Sequence, residues 1–311
     1  MQLGGFRQVD LEQTLEIADR HSKAYTAEHF SQLDSQRLEY LFRRNMQELE
    51  LVVRELWAEL HDAAFAPERF ELSFAGDGEM PAIPISNAAI PAQLRGFVDR
   101  VDLWQQHGRN YVRVVDYKTG KKDFDYCDVF NGVGLQMLLY LFALEDGGDV
   151  ITGQNAVPAG VQYFPARVPY ISAQSAADET WEDQRKKQWV RKGLLLRDDD
   201  ALKAMDPTEK MDRLNCKRNK DGELVGDVAD RIQLKQLKQY VMALLRRMVN
   251  DIASGNVQPN PYTRGTTHDA CTFCPYGSVC HKEYVSGRRN YKTMTQERFW
   301  EEIGKEVGKD G

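Results

Sequence analysis

The sequence predicts an α/β fold: a mixed β-sheet flanked by helices, with a helical N-terminal layer and a cysteine-bearing C-terminal segment. Three observations predict it. Apolar residues recur at helical spacing over residues 8–64. The period then shifts to strand-like alternation in three successive segments before the next helix. The resulting order, strand–strand–strand–helix–strand, is not the alternation of a doubly wound nucleotide-binding fold.

The N-terminal stripe is carried by Leu11, Leu15 and Ala18, then by Leu38, Leu41, Phe42, Leu49, Val52 and Val53, with charges between them. An amphipathic pair of this kind reads as a packing layer. It ends near Ala66–Pro67. Residues 68–74 (ERFELSF) form a strand candidate, and Asp77, Gly78 and Pro81 mark a turn region. Residues 93–104 (QLRGFVDRVDLW) and 110–118 (NYVRVVDYK) are two further strands. The polar QQHGR between them is a link expected of antiparallel neighbours. A helix is predicted from about 128 to 144, a strand over 159–170, and an amphipathic helix over 230–254, stopped by Pro259 and Pro261. Residues 172–230 are polar, with a basic run (Arg185, Lys186, Lys187, Arg191, Lys192) and an acidic one (Asp198 to Asp200). A last helix is expected near 295–307. The boundaries read as a helical layer over 1–66, a core over 67–260 and a cysteine segment over 261–311.

Composition narrows the function. With 311 residues, 42% of them hydrophobic, the chain can bury a sizeable core. The longest apolar run, Met137 to Leu144, falls far short of the ~20 residues of a membrane span. No leader pattern opens the chain, so no secretion or membrane association is expected. A net charge of −6 excludes a protein held to nucleic acid by bulk charge, though not one with a local basic groove.

Strand alternation makes residues 93–118 the informative part. Phe97, Asp99, Val101 and Leu103 share one face of their strand; Val112, Val114, Asp116 and Lys118 share one face of the next. Each strand thus places a carboxylate among apolar neighbours, on a face expected to point inward. A buried carboxylate must be neutral, paired or bound to a metal. Two of them on adjacent strands, with Lys118 alongside, point to a shared divalent cation, and such a ligand set suits Mg²⁺. The matching chemistry is phosphodiester hydrolysis: the cation offsets charge growing on the phosphoryl oxygens and acidifies a water, which Lys118 can orient or help deprotonate. In the following helix Gln136 and Tyr140 stand four apart, on one face of a strongly apolar segment. An amide and a phenol there can hydrogen-bond a phosphate or a base edge without adding charge. Lys121 and Lys122 follow the catalytic strand, where a phosphate backbone would lie. The 185–192 run could extend that track, and Trp181 and Trp189 beside it could stack on unpaired bases, although helix packing is the commoner use of such residues.

Cys271, Cys274 and Cys280 form C-x2-C-x5-C, a spacing that can wrap one soft metal centre. Zinc needs a fourth ligand, for which His268 or His281 is available. An iron–sulfur cluster needs a fourth thiolate. Cys127 and Cys216 are not placed for that role by the sequence.

The ordered set Glu71, GFVDRVD (96–102), VVDYKTG (114–120) and QMLLY (136–140) resembles the RecB-type branch of the PD-(D/E)XK nucleases. The resemblance implies a restriction-endonuclease-like mixed sheet. It makes Asp99, Asp116 and Lys118 catalytic and adds the Tyr117 carbonyl as a third ligand for Mg²⁺ (or Mn²⁺ in vitro). It assigns Gln136 and Tyr140 to a Q-x-x-x-Y signature and Glu71 to a supporting acid of the first strand. The helical histidine that such enzymes carry upstream has no convincing match at His21 or His29. CTFCPYGSVC (271–280) is further similar to the iron–sulfur staple of the AddB family of helicase–nuclease subunits, as are AGVQYFPARVP and KGLLL (192–196). That likeness implies a 4Fe–4S cluster whose first cysteine would precede residue 1. The expectation is therefore a domain excised from a longer chain, with its cluster incomplete as isolated. It also implies a bacterial cytoplasmic deoxyribonuclease cutting single-stranded DNA during double-strand-break processing, beside an AddA-type helicase–nuclease. The rivals are a catalytically silent DNA-end-binding or scaffold domain and a stand-alone RecB-like exonuclease.

Overall fold

The strands expected near 68–74 and 110–118 form; the one expected over 93–104 is broken, residues 93–94 pairing in a separate small sheet and the strand proper starting at Gly96; three later strands extend these into one six-stranded sheet. The computed structural model describes residues 6–30, 36–75, 78–153, 156–168, 181–265, 268–280 and 288–309. Helices α1 (Leu11–Phe30) and α2 (Gln36–Asp62) lead into β1 (Ala66–Phe74). Short strands β2 (Ile83–Pro84) and β3 (Gln93–Leu94) pair with each other and precede β4 (Gly96–Gln106) and β5 (Arg109–Lys118). There follow α3 (Tyr126–Phe130), α4 (Gln136–Gly147), α5 (Asp149–Thr152), β6 (Ala156–Pro165), α6 (Trp181–Gln188), β7 (Lys192–Leu196) and α7 (Asp199–Met205). The chain continues through β8 (Cys216–Arg218), β9 (Leu224–Gly226), β10 (Val228–Ala229) and α8 (Arg231–Ala253). It closes with β11 (Tyr262–Arg264), β12 (His268–Asp269), α9 (Gly277–Cys280), β13 (Arg289–Asn290) and α10 (Gln296–Lys309).

The large sheet runs β1-β4-β5-β6-β7-β10. β4 and β5 are antiparallel, β5 and β6 parallel, β6 and β7 antiparallel, β7 and β10 parallel. The sheet is thus mixed, as the sequence predicts. β5 lies inside it and is buried on both faces from Asn110 to Asp116. On one face Val115 and Phe164 pack against Val52 and Leu56 of α2 and against Trp189. On the other, Val101, Val112 and Val114 are buried. Each such apolar side chain contributes about 1.5–3 kcal/mol. β6 and β7 approach so closely that a Cβ at Gly193, whose φ is 154°, would lie 1.9 Å from the Val161 carbonyl oxygen.

The chain divides into two compact units. The first, Met1–Ser73, Phe97–Phe124 and Tyr140–Arg231, holds almost the whole large sheet. The second comprises Phe74–Gly96, Asp125–Leu139 and Ile232–Gly311. In it α8 buries Leu234, Leu237, Tyr240, Val241, Leu245 and Val249. Tyr126 of α3 packs edge-on against Phe299 of α10. Arg264 makes a two-pronged pair with Asp125 at 2.8 and 2.7 Å.

Several expectations change. The helix predicted over 128–144 is two helices, because Gly132 and Gly134 adopt left-handed φ of 85° and 72° between them. The strand predicted over 159–170 begins at Ala156 and ends at Pro165. Residues 172–230 are more than polar connection: β7 and β10 complete the sheet, and α6 and α7 flank β7 in the chain. β7 escapes sequence reading because four of its five residues are buried, so it shows no alternation. The acidic run has a local cause. The Asp198 side chain caps α7 by accepting the Ala201 N–H at 3.1 Å, and Asp199 and Asp200 occupy the first turn, where the helix dipole favours negative charge. Asp77, His281 and the side chains of Trp181, Arg185 and His268 lie outside the described residues. Among the described residues no helix is long and apolar enough to cross a membrane.

Candidate active site

The pairing of β4 with β5 sets Arg100 opposite Val115 and Val101 opposite Val114. One step further, the same register brings Asp99 to Asp116, at the end of the sheet where β4 begins and β5 finishes. Asp99 Oδ2 accepts the Tyr117 N–H at 2.8 Å. The Lys118 ammonium pairs directly with the Asp116 carboxylate. Asp99, Asp116, Tyr117 and Lys118 are thus brought together.

The expected inward face is only partly closed. Val101 is 2% exposed and Asp116 8%, but Phe97 is 61% exposed. The face is sealed in mid-strand and open at this end, so Asp116 is held in a dry wall beside an accessible mouth. Burial pushes the Asp116 pKa up; the hydrogen bond and charge of Lys118 oppose this, and the neighbouring Asp99 carboxylate adds to it. Tyr163 stands beside Asp116 across the parallel β5–β6 pair. Burial, then the Asp116 charge, raise its phenol to about 12, so it is an O–H donor at neutral pH.

Tyr117 turns its ring to the opposite face, where its hydroxyl accepts from Arg100 Nη1 at 2.7 Å. Only its backbone can serve the site. Two carboxylates against one ammonium, partly withdrawn from water, leave uncompensated negative charge. The donor set, Asp99, Asp116 and the Tyr117 carbonyl, therefore fits a hard divalent cation that keeps several waters. Among the described residues no group of three His, Cys, Asp or Glu side chains gathers as a metal site.

The opposite face holds an ionic cluster that sequence reasoning missed. Glu59 of α2 receives Arg113 Nη2 at 2.7 Å, Arg100 Nη2 at 3.2 Å and Arg191 Nε at 2.8 Å. Asp102 pairs with Arg113 Nε at 2.7 Å and Arg100 Nε at 2.8 Å. Burial works against the Glu59 charge, but Arg191, Arg113 and Arg100 together hold its carboxyl far below the usual range. Arg191 is therefore not part of a DNA track. It is 1% exposed because it and Lys192 point to opposite faces as the chain enters β7. Trp189, 6% exposed, belongs to the core and is not available for base stacking.

With this geometry, the match to known families is direct. A model of the PD-(D/E)XK nuclease superfamily matches residues 5–281. The chain belongs to the PD-(D/E)XK nuclease superfamily. It is similar to the AddB subunit of the ATP-dependent helicase/deoxyribonuclease of Thermoanaerobacter sp. (strain X514), 31% identical over 287 residues, 89% of this chain and 25% of that protein. The corresponding AddB protein of Moorella thermoacetica is 35% identical over 267 residues, 83% of this chain and 23% of that protein. The chain thus spans about a quarter of the length of the curated relatives it matches. It is a PD-(D/E)XK nuclease domain over nearly its whole length.

The remaining expected residues of this PD-(D/E)XK domain are placed as follows. Glu71 is exposed on β1, an edge strand, with a φ of 50°. Gln136 opens α4 and is exposed, whereas Tyr140, one turn on, is buried. Lys121 is exposed and Lys122 lies with its Nζ 5.9 Å from the centre of the Tyr163 ring. Cys271 is half-buried and Cys274 exposed in the turn leading into α9, and Cys280, also exposed, ends that helix. The described residues do not fit a four-thiolate cluster. Cys127 is buried and donates to the Lys292 carbonyl at 3.1 Å. Cys216 is buried in β8, and burial, with Asp206 and Asp227, pushes its thiol up to about 11, so it is not a thiolate at neutral pH.

Tyr163 also went unread. Its signal was available: Val161, Tyr163 and Pro165 alternate in the next strand, and a parallel neighbour carries its last residues to the same end of the sheet as Asp116.

Proposed function

We propose that this domain is a Mg²⁺-dependent deoxyribonuclease that hydrolyses phosphodiester bonds of single-stranded DNA. The observation that carries this reading is the meeting of Asp99 and Asp116 at the open end of the sheet with Lys118 against Asp116. In this reading Asp99, Asp116 and the Tyr117 carbonyl hold the metal, which when bound stabilises the charge growing on the phosphate and acidifies a water. Lys118, held as an ammonium against Asp116, orients that water. Tyr163 supplies a hydroxyl beside Asp116. Lys121 and Lys122 hold strand phosphates, Gln136 and Tyr140 hydrogen-bond the substrate, and Glu71 is an auxiliary acid. The nuclease core is assigned to 67–260, with 1–66 as helical layer and 261–311 as cysteine segment.

The names of its relatives support placing the domain in a bacterial helicase–nuclease, in the cytoplasm, beside an AddA-type motor that unwinds broken duplex ends for recombination. Cys271, Cys274 and Cys280 are proposed as metal ligands only with a fourth ligand from outside the described residues. Iron and zinc analysis of anaerobically purified protein tests that part.

The deciding assay uses end-labelled single-stranded DNA with Mg²⁺, Mn²⁺ or chelator. Wild type cuts with either metal and stops in chelator. Asp116→Asn folds, by circular dichroism, but does not cut. Undiminished cutting by that variant sinks the assignment.

A further inference from the structure

Past β5 the chain bends through Thr119–Asp123. With the end of β6 and the segment between α6 and β7, it encloses a cavity of about 610 Å³. Lys118, Lys121, Lys122, Arg167, Lys187 and Lys192 line it, and Asp123 is the acid among them. Asp123 lies 3.7 Å from Lys121 Nζ and 3.9 Å from Lys192 Nζ. The lining thus gathers six cations and one carboxylate, with Asp116 against Lys118 from outside it, in a chain whose net charge is −6. A basic run along the sequence is usually only a solvated face. Here cations from three separate segments converge on one concave space, which focuses their field. Such a concave, predominantly basic surface attracts an anion.

The occupant can be narrowed. Lys118 lines the cavity and its ammonium touches Asp116, so the cavity lies next to the carboxylates. Its volume is of the size of a small-ligand cleft, larger than one phosphate needs. Tyr163 contributes an aromatic wall under Lys122. A second concavity of about 1100 Å³, between α1 and α2, shares Thr119 and Arg167 with the first, so the groove does not stop at one nucleotide. We propose that this cavity is a second phosphate subsite, in which Lys122, Arg167, Lys187 and Lys192 grip the unpaired strand next to the phosphate held at Asp99 and Asp116. The subsite rests on the nuclease reading above and adds to it the residues that hold the strand in place.

The test uses the whole chain, fluorescein-labelled oligothymidylate, and Ca²⁺ to allow binding measurements without turnover. Arg167 is exposed and Lys192 is partly so, which makes Arg167→Gln with Lys192→Gln a tolerable pair. The double variant is expected to bind about tenfold more weakly. Its salt dependence, the slope of log K against log salt, should flatten by about 0.7 for each phosphate no longer held. In Mg²⁺ its KM should rise far more than its kcat falls. Lys203→Gln, on the exposed side of α7 and outside the cavity, controls for loss of a surface cation and should bind like wild type. Unchanged affinity and slope in the double variant overturn the subsite, as does an equal loss in Lys203→Gln. A blunt duplex of the same length, bound as tightly as the single strand and as dependent on Arg167 and Lys192, overturns its commitment to an unpaired strand. The two readings can fail separately. If wild type never cuts but binding still needs Arg167 and Lys192, the nuclease reading falls and the subsite stands. If Asp116→Asn abolishes cutting while the double variant binds normally, the reverse holds.

Discussion

At the scale of residues, the site depends on alternation. Asp116 and Lys118 face the open end of the sheet, and Tyr117 between them faces the ionic cluster behind it. The Arg100–Tyr117 hydrogen bond, 2.7 Å long, therefore ties the backbone between two proposed catalytic residues to the protein interior. Tyr117→Phe removes the acceptor of a guanidinium that is fully buried. The expected cost is about 1–3 kcal/mol, read as a lower urea midpoint with an unchanged slope. The sequence could point to Asp99, Asp116 and Lys118 because two successive strands each set a carboxylate among apolar residues and the second adds a lysine on the same face. Arg100, Asp102 and Arg113 stand in the same segments but carry no such signal. Charge in a strand normally marks the solvent side, and nothing in the local sequence says that α2 covers theirs.

At the scale of elements, α2 acts through Glu59. One carboxylate receives guanidiniums from β4, β5 and the start of β7, so the helix and three strands meet at a single acid. Removing it leaves Arg100 and Arg113 to share Asp102 alone and takes from Arg191 one of its two acids, Glu55 being the other. Glu59→Ala should destabilise the protein by about 3–5 kcal/mol, measurable in denaturant. The same acid gives a pH dependence with a definite sign. Its folded pKa lies below its unfolded value, so its contribution is complete above the ordinary glutamate range, near ~4.3, and is lost as pH falls from there towards the depressed native value. In Glu59→Ala that part of the acid titration of stability should disappear; an unaltered acid limb would show that other groups dominate it. The elements themselves were largely visible in the sequence. α2, β1, β4, β5 and α8 follow helical or strand periods. β7 and β10 were not, because short strands buried on both faces carry no alternation.

At the scale of the whole molecule, the proposed metal site and the fold are linked. A cation that binds only the folded chain must stabilise it, by about 2.7 kcal/mol at a hundredfold excess over its Kd. Mg²⁺ should therefore raise the thermal midpoint of wild type and leave that of Asp116→Asn unmoved; equal shifts in both would place the ion elsewhere. By itself the sequence determined the fold class and the order of the principal elements, because those follow from local period, and it showed the family through the resemblance of its ordered motifs; it also pointed to the carboxylate–lysine set. Only the tertiary structure decided that Arg191 and Trp189 turn inward while Lys192 faces a cavity, that three arginines converge on Glu59, and that Tyr163 stands beside Asp116 with Arg167 in the cavity beyond. Those facts rest on which strands become neighbours, and neighbours in a sheet are chosen by contacts between residues far apart in the chain, which no local pattern records.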